Sequence, residues 1–149
     1  MPRFRFRLQT LRRLRELTRD ELRVRLAEAF HAEQILAEQR AAVAAEAAAL
    51  VETRRRTMLD GSMDVTRLLE SQRYQLTLEA QSRVLAEQAA RLAEEVELRR
   101  QAVVEADREV RVLDKLRERR LAQHHHAEQA ADAKRLDEIA ATRWEATQP

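Results

Sequence analysis

The chain has 149 residues, 44% hydrophobic and 36% charged but only 3% aromatic, so narrow helix-helix seams are within its reach and a thick globular core is not. Its 28 basic and 26 acidic residues nearly balance, and the lack of cysteine excludes disulfides and thiolate chemistry. The first residues carry no apolar run of the signal-peptide kind, and no stretch approaches the roughly 18 consecutive apolar residues of a membrane span, so a cytosolic protein that meets membranes only through partners is expected.

The N-terminal end is strongly basic: Arg3, Arg5, Arg7, Arg12, Arg13 and Arg15 all precede the first acid, Glu16. Such a cluster suits any anionic surface. Base-stacking aromatics and a nucleic-acid-binding motif are both missing, so nucleic acid is not an expected partner.

The spacing predicts a first helix over about residues 5–58. Leu8, Leu22, Ala29, Leu36, Val43 and Leu50 share one seven-residue phase, with Arg15 as its exception. Leu11, Leu26, Ala32 and Ala47 lie three or four residues from members of that set and fall on the same face. The resulting seam is rich in small residues.

A turn is expected over about residues 59–63, because Asp60-Gly61-Ser62 holds the only glycine of the chain, the residue that enters left-handed backbone without a side-chain penalty. The prolines, Pro2 and Pro149, stand at the extreme ends.

A second, longer helix is predicted over about residues 64–144, with Asp64 as its cap. Its seam reads Leu78, Ser82, Leu85, Ala89, Leu92, Val96, Arg99, Val103, Ala106, Val110 and Leu113, with Ser82 and Arg99 as polar breaks. The alternation of four and three averages about 3.5 residues and implies left-handed supercoiling. Glu21 and Arg25, Glu79 and Arg83, Glu87 and Arg91, Glu95 and Arg99, and Asp107 and Arg111 are spaced as helix-favouring pairs, each contributing about 0.2 to 0.5 kcal/mol.

The expected fold is therefore all-α, an antiparallel two-helix coiled coil forming a single elongated domain over residues 1–149. At about 1.5 Å per residue the helices would span about 80 and 120 Å, which leaves the end of the second one overhanging. Residues from about Arg119 to Trp144 then lack a partner within the hairpin, although Leu136, Ile139 and Trp144 offer apolar contacts. Gly61 would mark the closed end, and both chain termini the open one.

His124, His125 and His126 are adjacent, and neighbouring helical side chains point about 100° apart, so three imidazoles do not readily converge on one ion. No metal site is expected, and the tract reads as a solvent-facing polar stretch. A two-helix hairpin offers no pocket in which to tune paired carboxylates, and one glycine cannot build a phosphate loop. No catalytic residue is expected. Tyr74 and Trp144, each the only one of its kind, are candidate recognition anchors or side chains filling gaps along the seam.

Phe4-Arg5-Phe6-Arg7-Leu8-Gln9-Thr10-Leu11, Arg73-Tyr74, Val112-Leu113-Asp114-Lys115-Leu116-Arg117-Glu118-Arg119-Arg120 and Leu136-Asp137-Glu138-Ile139-Ala140 together resemble the flagellar FliJ family. The resemblance covers essentially the whole chain in the family's order and length. It implies a non-enzymatic, cofactor-free stalk and escort component of the flagellar type III export apparatus, similar in fold to the central stalk of rotary ATPases. The implied partners are the hexameric flagellar export ATPase, whose pore receives the paired chain ends, the cytoplasmic domain of the export gate, and export-substrate chaperones. The implied location is the cytoplasmic face of the inner membrane, reached through the apparatus.

By correspondence with the family, Tyr74, Leu78, Gln81 and Leu85 fall on the gate-contacting surface, where Gln81 departs from the small or apolar residue expected. Leu78 and Leu85 also fit the intramolecular seam. Leu8, Leu11, Arg12, Arg13, Leu136 and Ile139 match the ATPase-binding end by position. Two other readings stand beside this one: a general coiled-coil scaffold or dimerisation module, and the corresponding stalk of a virulence type III system. The periodicity is the same for a closed hairpin and for an open dimer.

Overall fold

The computed structural model describes residues 3–62 and 64–146; Pro2 and Pro149 lie outside the described residues. Two helices, α1 (Gln9–Leu59) and α2 (Val65–Ala146), pack together as the expected helical hairpin, the second being longer. The chain divides into two compact units: residues 21–103, which contain the turn, and residues 1–20 with 104–149.

In the first of these units, α1 ends in a set of hydrogen bonds that the lone glycine makes possible. Gly61 has φ +64°, the Gly61 N–H donates to the Met58 carbonyl (3.4 Å), and the Ser62 N–H reaches back to the Thr57 carbonyl (3.2 Å). This is the Schellman arrangement, which satisfies carbonyls that the helix end leaves open. Asp64 caps α2 as expected, its side-chain Oδ1 accepting from the Arg67 N–H at 2.7 Å. Arg54 bridges the helices near the turn by donating to the Ser71 hydroxyl from Nε (3.1 Å) and Nη2 (2.9 Å).

The seam of this unit follows the heptad phase. Ala29, Leu78 and Val96 are buried, and Leu22, Leu36, Val43, Leu50, Leu85, Ala89 and Leu92 are half-buried. Burying a leucine of this kind contributes roughly 1.5 to 3 kcal/mol, several times what a surface charge pair supplies. Arg99, one of the two polar breaks, keeps its place by folding its head outward, where it donates to the Arg25 carbonyl across the seam (2.6 Å) and pairs with Glu95. Ser82, the other, is exposed. Alanines opposite it leave a cleft of about 180 Å³ lined by Val43, Ala47, Leu78 and Ser82.

In the second unit, α1 begins at Gln9, later than the start expected at about residue 5. A helix begun there would crowd Arg5 and Arg7 into its first turn, against the positive end of the macrodipole. Residues 3–6 are instead non-helical, and the Phe6 carbonyl accepts the Gln9 N–H at 3.1 Å. Exposure alternates along this segment: Arg3, Arg5 and Arg7 face solvent, Phe4 is half-buried and Phe6 buried. That period of two is the one a non-helical strand-like chain presents to a surface beneath it. The remaining core here is Ala106 and Val110, flanked by Leu8 and Leu113.

Among the described residues, ion pairs cross the seam of this unit in a row, Arg12 with Asp114, Arg15 with Glu109 (3.1 Å) and Arg19 with Asp107 (3.8 Å). Asp107 thus turns across to α1 as well as lying at helix spacing from Arg111. Of the five pairs expected along the helices, Glu95 and Arg99 are joined, while Glu79 accepts from Gln75 at 2.9 Å.

The overhang is shorter than the sequence suggests. A helix continued at the Arg12–Asp114 register would bring Phe4 opposite Ala122; instead its ring meets the His124 imidazole edge-on, with centroids 5.6 Å apart and an interplanar angle of 88°. Partly covered side chains continue along α2 at Leu121, His124, Glu128 and Ala131, and unbroken exposure begins only at Asp132 and runs through Trp144.

Candidate functional site

No charged or polar residue among the described residues is buried, and two surfaces gather the residues singled out from the sequence. In the unit of residues 21–103, α1 carries an alanine-rich stretch opposite a second one on α2, and short side chains cannot fill the space that leucines would. An open groove of about 630 Å³ results, lined by Ala42 and Val43 from α1 and by Thr77, Ala80, Gln81, Val84 and Leu85 from α2. Another of about 460 Å³ runs past Leu36, Ala86, Ala89 and Ala93.

Tyr74, Leu78, Gln81 and Leu85 are divided by this geometry. Gln81 and Leu85 line the larger groove. Leu78 is only 2% exposed, so it is a seam residue that shapes the wall from beneath. Tyr74 is 47% exposed and donates its hydroxyl to Glu46 of α1 at 2.8 Å. That bond, then the charge of Glu46, then desolvation raise the Tyr74 pKa above its ordinary 10.0.

The second surface belongs to the unit that holds both chain termini. Leu8 is half-buried and Leu11 is 39% exposed, beside Val112 and Leu113 in a shallow groove of about 310 Å³. Arg12 is held by Asp114 and by Glu16 (2.9 Å), and its pKa is raised chiefly by the hydrogen bond to Asp114. Arg13 is exposed, as are Leu136, Ile139 and Trp144. Leu136 and Trp144 stand in one i, i+4 row through Ala140, and Ile139 adjoins it, so the three large apolar side chains share a face of α2.

The sequence expectation rests on the three adjacent histidines alone, whereas the structure brings Glu128 to two of them. His124 and Glu128 stand one turn apart, and His125 reaches the same carboxylate: the Nδ1 atoms lie 3.5 and 3.4 Å from Glu128 Oε2. His124 is half-buried beneath Phe4 rather than solvent-facing. The i, i+4 spacing of His124 and Glu128 was the available signal. A cation-π contact that periodicity does not reveal sets the Arg100 guanidinium 6.0 Å from the centre of the Phe30 ring.

No helix among the described residues is long and apolar enough to cross a membrane. A family model described as Flagellar FliJ protein matches residues 4–148. No curated protein and no solved structure matches the chain.

Proposed function

The chain belongs to the flagellar FliJ family, non-catalytic components of the flagellar export apparatus that form the stalk of its ATPase, and we propose that it binds two parts of that apparatus through its two surfaces. The exposed apolar face of Leu136, Ile139 and Trp144, with the solvent-facing Arg13 in the same unit, engages the hexameric export ATPase together with Leu8, Leu11 and Arg12. Tyr74, Gln81 and Leu85, supported by Leu78, engage the cytoplasmic domain of the export gate, and substrate chaperones meet the chain elsewhere. In this reading the protein works in the cytoplasm, at the inner face of the membrane.

The observation that carries the ATPase assignment is the unbroken run of exposure from Asp132 to Trp144, which leaves large apolar side chains in water on a helix whose earlier turns nearly all carry a buried or half-buried residue. Surfaces of that kind are usually contact sites. Coupling would come from binding energy spent unequally on six subunits. The match to a flagellar family favours this role over a general scaffold or a virulence stalk.

The test is co-purification and ATPase stimulation with the cognate export ATPase. Leu136→Glu with Ile139→Glu should weaken both about tenfold or more, since two buried apolar contacts become charged. Tyr74→Ala should leave ATPase binding intact and weaken capture of the gate domain. Undiminished ATPase binding by the double variant would refute the assignment.

A further inference from the structure

We propose that His124, His125 and Glu128 form a binding site for a divalent transition-metal ion, with Zn2+ the best fit. The geometry supports it first. One donor atom from each of the three side chains lies within 4.8 Å of the other two. Ligands at zinc bond lengths of about 2.0 to 2.1 Å stand about 3.3 to 3.5 Å apart at the corners of a tetrahedron. The two imidazole Nδ1 atoms are already 3.5 and 3.4 Å from Glu128 Oε2, at the separation that such a tetrahedron requires.

The chemistry agrees. Two imidazoles and one carboxylate are ligands of borderline metals and not the all-oxygen shell that Mg2+ or Ca2+ prefers. Adjacent histidines leave the helix in different directions, yet both rings lean toward the carboxylate one turn on, which stands between them. The fourth position faces solvent beside the 63%-exposed His125 and is open to water or to a ligand from another protein. His126 is exposed and stands outside the cluster.

The surroundings give the ion something to act on. His124 is the ring against which Phe4 packs, and Phe4 belongs to the non-helical segment that precedes α1. A metal bond at Nδ1 fixes the orientation of that imidazole and hence the shelf on which Phe4 rests. Metal binding therefore steadies the segment carrying Arg3, Arg5 and Arg7.

The experiment uses the full-length protein without a histidine tag, titrated calorimetrically with ZnCl2 and by visible absorption with CoCl2. One ion per chain is expected, with the intense visible bands of tetrahedral Co2+. His125→Ala and Glu128→Gln should each weaken binding about tenfold or more, whereas His126→Ala should change it less than about twofold. His125 is exposed, so its loss leaves the fold intact, which far-UV circular dichroism checks. Saturating Zn2+ should also slow tryptic cleavage after Arg5 and Arg7 severalfold. Absence of saturable binding, equal loss in His126→Ala, or Zn2+ binding without protection of the two arginines would overturn the proposal.

Discussion

Replacing Gly61 isolates the contribution of one backbone conformation, because a methyl group added there meets no heavy atom within 4 Å. Steric crowding is thereby removed from the problem, and φ +64° remains. Holding an L-residue in that region costs about 1 to 2 kcal/mol. Alanine also has less freedom to lose on folding than glycine, which offsets about 0.4 to 1 kcal/mol. The net expectation for Gly61→Ala is a destabilisation of about 1 kcal/mol, equivalent to a melting point about 3 °C lower for a chain of this size. Asparagine tolerates the left-handed region better, so Gly61→Asn should fall between the wild type and alanine. Thermal and urea melts followed by circular dichroism, repeated over a range of dilutions, measure both values. An alanine variant as stable as the wild type, or an asparagine variant no better than alanine, would show that the Schellman turn does not hold the hairpin in the way described.

Leu78→Ala should cost about 2 to 3 kcal/mol in urea melts, the lower part of the usual range, because the site already borders a cleft into which neighbours can relax. Tyr74→Phe tests a pH dependence. The folded Tyr74 holds its proton to higher pH than the ordinary 10.0, so its contribution is whole below pH 10.0 and declines above it, where the unfolded chain ionises and the folded one does not. The stability difference between wild type and Tyr74→Phe should therefore be constant at neutral pH and shift against the wild type above pH 10.0. A difference that stays constant through that range contradicts the bond to Glu46.

The hairpin was legible in the sequence because its determinants are local or periodic. Gly61 and Asp64 act within a few residues of themselves, and the seven-residue phase through Leu22, Ala29, Leu36 and Val43 survives whatever the partner is. Ser82 shows the limit of that reading: it keeps the phase of the seam but not its burial, since alanines across from it fail to enclose it. The segment from Arg3 to Arg7 is harder to read for a different reason. Its alternation of arginine and phenylalanine has a period of two, but the helical pattern just downstream absorbed it. On α2 this segment gives His124 a partner, the Phe4 ring. The surfaces were less legible still. Tyr74, Gln81 and Leu85 came from likeness to a family, whereas the enclosure of Leu78 and the exposure of Leu136 and Ile139 follow from the seam phase and the unequal helix lengths.

The row of ion pairs in the terminal unit has one polarity, with every base on α1 and every acid on α2. Each such surface pair adds little to stability, but the pattern decides company. Two copies of α1 laid side by side would set Arg12, Arg15 and Arg19 among their own kind, and two copies of this stretch of α2 would do the same with Asp107, Glu109 and Asp114. At these positions each stretch is thus a poorer mate for itself than for the other, so the three pairs favour joining α1 to α2 over joining two like stretches.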